Sequence, residues 1–139
     1  MSRIIGIDYG TKRVGIASTD PLQIIASPLT TLAPDKVIDY LKNFLGGDLV
    51  ECFVIGDPLN LDDTPAQPAA QARQFAKKLQ KQFPGIPIYW EDERYTSKMA
   101  ARSMIEAGYK KKDRQKKENL DMISAAIILQ SYLDRKQAL

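Results

Sequence analysis

Asp8, Glu93 and Asp121 are the residues of this 139-residue chain best placed to do chemistry together. Asp8 ends a short apolar run, with Ile4, Ile5 and Ile7, that reads as a strand buried on both faces. Glu93 follows the last predicted strand, and Asp121 opens the last predicted helix. In an α/β sheet, strand ends and helix starts meet at one rim, so this order of elements can bring the three carboxylates together. Two unit charges about 4 Å apart repel by roughly 4 kcal/mol at an effective dielectric of 20, so such a cluster calls for cations. All-oxygen ligation in a chain without histidine favours a hard ion, Mg²⁺ or Mn²⁺, over zinc. One or two such ions can activate water and stabilise the oxyanions of a phosphodiester during in-line displacement. Two of the acids also have a plainer alternative. Asp121 can serve only as a helix N-terminal acid favoured by the dipole, and Glu93 can simply pair with Arg94 or a nearby lysine.

The absence of histidine excludes Ser-His and Cys-His nucleophilic pairs, histidine general bases and the common histidine zinc sites. Cys52 is the only cysteine; it lies in the apolar segment VECFVIG and reads as a small buried side chain. The net charge of +3 is unevenly spread. Residues 1–69 carry five Lys/Arg against nine Asp/Glu, and residues 70–139 carry fifteen against eight. A basic second half points to a polyanion partner, although solvated helix faces contribute to the same count. Lys12 and Arg13 follow Asp8 in a turn and can reach a phosphate near the acids, unless they are charged only because turns are wet. Arg94, beside Glu93, offers a planar guanidinium for two phosphate oxygens. Lys110, Lys111, Lys112 and Arg114 belong to a basic run ending at Lys117, which can capture a nucleic-acid backbone in a salt-dependent manner.

The elements that must position these groups are legible from periodicity. The first strand turns through Gly10 to Arg13 into Val14–Thr19, which alternates Val, Ile and Ser with Gly, Ala and Thr and should pair with it antiparallel. Gly6 shares a face with Asp8, and with Gly15 and Ala17 on the same face the sheet has a low spot beside the carboxylate. Ile24 to Thr31 reads as an outer strand, since Pro28 is tolerated only at an edge or bulge. Pro34 to Leu45 is an amphipathic helix stopped by Gly46 and Gly47. Leu49 to Ile55 is a strand ending at the Gly56-Asp57-Pro58 turn, and residues 60–68 are a loop. A helix from Ala69 to Phe83 and a strand from Ile86 to Trp90 follow. Then come a helix capped by Thr96 or Ser97 that runs to Ala107, the basic loop Tyr109 to Asn119, and a buried final helix, Leu120 to Leu133. The order predicts one α/β domain over residues 1–139: a mixed five-stranded sheet, three antiparallel strands then parallel crossovers, with helices on both faces. That is the ribonuclease H-like arrangement. No apolar run reaches membrane-spanning length and no targeting segment is visible, so a soluble cytoplasmic protein is expected.

Five segments in this order resemble the YqgF/RuvX family: GIDYGTKRVGIAS with Asp20, VIGDPLN, FAKKL, EDERYTS and NLDMISAAIILQSYL. Its members are described as Holliday-junction resolvase-like and as nucleases maturing the precursor of 16S ribosomal RNA. The resemblance covers essentially the whole chain. It implies an acidic metal site at Asp8, Glu93 of the DER-x-T segment and Asp121, and hydrolysis of phosphodiester bonds in structured RNA. It leaves open resolution of a DNA junction, a catalytically silent role in ribosome assembly, and whether the protein is a monomer or homodimer. Three positions depart from the family pattern. Asp57 stands where an apolar or basic residue is common, Asp62-Asp63-Thr64 replaces an Asp-Gly-Thr sequence, and Leu120 replaces a valine before the last acid. Asp57 reads as a turn cap, with an extra metal ligand or a barrier to phosphate approach as alternatives.

Overall fold

Strand β1, Ser2–Tyr9, is the centre of the five-stranded sheet, with a partner on each side. The computed structural model describes residues 2–20, 22–23, 25–57, 69–92 and 116–138. β1 pairs antiparallel with β2, Val14–Thr19, which pairs antiparallel with β3, Ala26–Leu32. On its other side β1 runs parallel to β4, Leu49–Asp57, and β4 runs parallel to β5, Ile88–Asp92. The sheet order is β3-β2-β1-β4-β5, mixed and five-stranded as expected. β3 is the predicted edge strand. Pro28 faces Ala17 beside a register shift, so it sits both at the edge and next to a bulge, where its missing N–H costs no ladder bond.

Two cores cover the two faces. Ile5, Ile7, Val14, Ile16, Phe53 and Ile55 pack under α1, Val37–Leu45, and α2, Ala69–Gln82, through Leu41, Phe75 and Leu79. Ile4, Ala17, Cys52 and Val54 pack on the opposite face under α3, Lys117–Ala138, through Ala125, Ile128, Leu129 and Leu133. Strand alternation thus sorts one row of side chains to each layer. Cys52 is buried and free, and burial pushes its thiol up; the thiol donates to the Tyr132 hydroxyl at 3.9 Å.

Several predicted boundaries move, and each shift follows from pairing rather than polarity. β4 does not stop at Ile55: Gly56 and Asp57 continue the ladder because Glu91 and Asp92 of β5 pair with them. The fifth strand accordingly includes Glu91 and Asp92 and starts at Ile88, because Ile86 N–H is used by the preceding turn, donating to Phe83 O, and Pro87 has none. The helix expected from Pro34 opens as a 3₁₀ turn, Pro34–Lys36, before α1. α3 begins three residues before Leu120 and continues five beyond Leu133. Its polar ends are held by the sheet: Thr31 Oγ1 donates to Glu118 O at 2.6 Å, Ser131 and Arg135 donate to Glu91, and Lys136 donates to Glu51 at 2.6 Å. Nor is α3 buried all round, since Ala126 and Ile127 are only partly covered and Leu120, Ile123 and Ile127 form a separate small cluster. The loop expected over residues 60–68, the helix expected to end at Ala107 and the basic loop up to residue 115 lie outside the described residues. Among the described residues no helix is long and apolar enough to cross a membrane.

Candidate functional site

The position of Asp8 follows from the pleat. Gly6 and Asp8 share a face of β1, and their antiparallel partners are Ala17 and Gly15. Directly opposed residues point the same way, so Gly6, Asp8, Gly15 and Ala17 form one low patch on the α3 side. α3 lies on this patch at backbone contact. A Cβ on Gly15 would stand 2.1 Å from the Asp121 carbonyl oxygen, and a Cβ on Gly6 would stand 2.8 Å from that of Ala125. Two missing side chains therefore set how near the helix comes, and Asp121, the fifth residue of that helix, lies where it touches Gly15.

Asp8 and Asp121 consequently line the same cavity, of about 470 Å³, together with Tyr9, Lys12, Arg13, Gln71 and Lys117. Arg13 reaches across from the β1–β2 turn, its Nε donating to Asp121 Oδ2 at 2.7 Å. That hydrogen bond, and then the negative charge of Asp121, push the Arg13 guanidinium up from its ordinary value despite partial burial. Lys12 and Arg13, read from the sequence as able to reach a phosphate near the acids, line the same cavity as Asp8 and Asp121. Glu93, Arg94, Lys110, Lys111, Lys112 and Arg114 lie outside the described residues.

Asp57 belongs elsewhere. Ile55 faces α1 and α2, and Gly56 faces α3, so the pleat returns Asp57 to the α2 side, away from Asp8. There Arg73 of α2 donates to its Oδ1 at 3.0 Å while the guanidinium lies 3.6 Å from the Trp90 ring centroid. Glu91 is on the α3 face, but it is buried and engaged by Ser131 and Arg135, holding β5 to the helix. Neither acid lines the cavity.

Two residues of the cavity escaped the sequence reading. Lys117 was part of the basic run but reads there as loop, whereas it opens α3 and so points into the site. Gln71 lies on the polar face of α2, where nothing in periodicity separates it from other exposed glutamines.

The donor set suits a hard divalent cation in kind: two carboxylates line one cavity, and among the described residues no nitrogen or sulfur ligand lies beside them. Among the described residues no three His, Cys, Asp or Glu side chains cluster.

Comparison with known proteins identifies the family. Residues 2–135 match the family model described as "RuvX: Holliday junction resolvase". A protein of Amoebophilus asiaticus named "Putative pre-16S rRNA nuclease" is 53% identical over 133 residues, covering 96% of this chain and 94% of the relative. One of the same name from Christiangramia forsetii is 47% identical over 133 residues, covering 96% and 98%. In fold the chain is similar to T. thermophilus RuvC solved with a Holliday junction substrate, with a TM-score of 0.57 at 14% identity and coverage of 98% and 96%. The sheet is ribonuclease H-like, as its strand order predicted. On the family match and the identity of these relatives, the chain belongs to the RuvX family.

Proposed function

We propose that this protein is a metal-dependent nuclease that hydrolyses phosphodiester bonds in structured RNA, with 5′-end maturation of the 16S ribosomal RNA precursor as its task. The observation that carries the reading is the meeting of Asp8 and Asp121 on one cavity that Lys12, Arg13 and Lys117 also line. Acids that can hold a divalent cation and cations that can hold phosphate oxygens suit a phosphodiester. The names of the two bacterial relatives supply the RNA substrate. Work on that precursor would be done in the cytoplasm.

Asp8 and Asp121, with Glu93, would hold Mg²⁺ or Mn²⁺. When bound, the ion supplies Lewis-acid stabilisation of phosphoryl oxygens and lowers the pKa of water. The chain's own residues do the rest. Lys12 and Lys117 flank the acids and attract the backbone. Arg13, held against Asp121 in the free protein, is near enough to turn its guanidinium to a phosphate oxygen once the charge on Asp121 is met by a cation. Arg94, Lys110, Lys111, Lys112 and Arg114 would add positive charge for the nucleic-acid backbone.

This role for Arg13 predicts opposite effects on two ligands. In Arg13→Met, titration calorimetry should show Mn²⁺ binding up to about fivefold tighter, since about 1 kcal/mol of a part-exposed ion pair no longer competes. RNA binding should weaken in the same variant. Mn²⁺ affinity that is unchanged or reduced would show that the guanidinium does not occupy the cation's place.

The family description and the RuvC complex favour a second substrate, a four-way DNA junction cut by the same chemistry. Resolution needs two symmetric cuts and so a dimer. One assay decides: purified protein with a ribosomal RNA precursor or a four-way DNA junction, in Mn²⁺ or chelator. Metal-dependent cleavage of the RNA alone is expected. Cleavage of the junction alone would replace the RNA reading, and turnover that survives chelator would refute the metal site.

A further inference from the structure

A second cavity, of about 430 Å³, adjoins the first on the other side of β1. Tyr9 and Gln71 line both. The reason is again the pleat: Asp8 points to the α3 face and the next residue, Tyr9, to the α1 and α2 face, so the end of β1 is a thin partition between the two spaces. The second space differs in chemistry. Its wall includes the rings of Tyr9 and Phe75, 5.1 Å apart between centroids, and the amides of Gln71 and Gln74. Among the described residues its charges are one cation and one anion, Lys78 and Asp35, where the first cavity gathers three cations around two acids. Residues 71, 74, 75 and 78 follow helical spacing, so α2 presents one stripe to it. Among the described residues neither glutamine side chain makes a hydrogen bond, which leaves donors and acceptors on both amides for a ligand.

A balanced pair of charges gives no reason to hold phosphate. Aromatic rings with two amides suit a flat, neutral heteroaromatic group, and the volume lies within the usual range for small-molecule sites. We propose that this cavity receives one unpaired nucleobase of the strand being cut, while a neighbouring phosphate lies across the partition at Asp8 and Asp121. Gln71 and Gln74 read the base edge, and the ring of Tyr9 or Phe75 supplies stacking. The site would select substrates with a splayed-out base beside the scissile bond, which is how single-stranded segments of RNA are commonly recognised. The inference rests on the nuclease reading for its strand, and on this cavity for its base.

The test uses short RNA oligonucleotides, each with one 2-aminopurine at a different position, bound to the whole protein with Ca²⁺ in place of Mn²⁺. Fluorescence should be quenched on binding at one position, and making that position abasic should weaken binding about tenfold. Gln74→Trp, made at an exposed helix position that lines only the second cavity, should fill it. It should remove both the quenching and the tenfold difference, while binding of the abasic RNA stays unchanged. Quenching of equal size at every position, equal affinity for intact and abasic RNA, quenching that persists in Q74W, or no binding at all would each overturn the proposal. Mn²⁺-dependent cleavage by the same preparation is scored separately. Cleavage without position-specific quenching sinks the base site alone, and position-specific quenching without cleavage sinks the nuclease reading and leaves the base site standing.

Discussion

Asp8→Asn should lower metal-dependent RNA cleavage by at least about 10²-fold, the order lost when one charge-stabilising group is removed from a preorganised site. The substitution keeps the shape of the side chain and removes the charge that a cation requires. Folding should change by about 1 kcal/mol or less, because the substitution is isosteric and leaves the two apolar cores untouched. Asp57→Asn is the matching control. It removes a carboxylate from the same rim of the sheet but from the opposite face, where Arg73 engages it, so cleavage should stay within about threefold of the parent. Single-turnover cleavage and thermal melting of both variants check the pair. Full activity in D8N would remove Asp8 from the site, and a large loss in D57N would mean that the face assignment does not separate the two acids.

Gly15→Ala should do more harm than any single deletion of charge. The new Cβ would meet the Asp121 carbonyl oxygen at 2.1 Å, its carbon at 2.4 Å and the Met122 nitrogen at 2.8 Å, all of them backbone atoms. Backbone inside a helix cannot step aside alone, so α3 must back off by on the order of 1 Å, at a cost of about 3 kcal/mol or more. For a domain of this size that lowers Tm by roughly 10 °C. The same displacement carries Asp121 away from Asp8, and a shift of about 1 Å at a catalytic group can cost 10²-fold in rate. Gly6→Ala gives the contrast. Its Cβ meets the side-chain Cβ of Leu129 at 2.7 Å and Ala125 O at 2.8 Å, further along α3. It should destabilise with a smaller loss of activity per degree of Tm. Equal loss of activity per degree in the two variants would argue against a specific role for the approach at Gly15.

The low patch beside Asp8 was readable because strand alternation is local. Once Val14–Thr19 pairs antiparallel with β1, Gly6, Asp8, Gly15 and Ala17 can share only one face, and a helix with small residues is what fits there. The placement of Asp121 was readable in part, since a helix after a crossover returns to the rim where strands end, although Asp121 is the fifth residue of α3 and not its start. Boundaries were less legible. Hydropathy marks where a segment is buried, whereas strands end where neighbours stop offering hydrogen bonds, and so β4 runs on through Gly56 and Asp57. In the same way the polar ends of α3 are helical because Thr31, Glu51 and Glu91 hold them.

Composition, period and spacing were thus enough for the layers of the molecule, the faces of its strands and the candidacy of Asp8 and Asp121. Three things came only from the folded chain: Arg13 on Asp121 across 108 positions of sequence, Asp57 turned to Arg73 and Trp90, and a second cavity sharing Tyr9 and Gln71 with the first. Each depends on distances between elements, which are set by how closely α3 and α2 settle on the sheet. A local pattern carries the direction of a side chain but not that distance, and at this site the distance is governed by two glycines that let a helix backbone touch a strand.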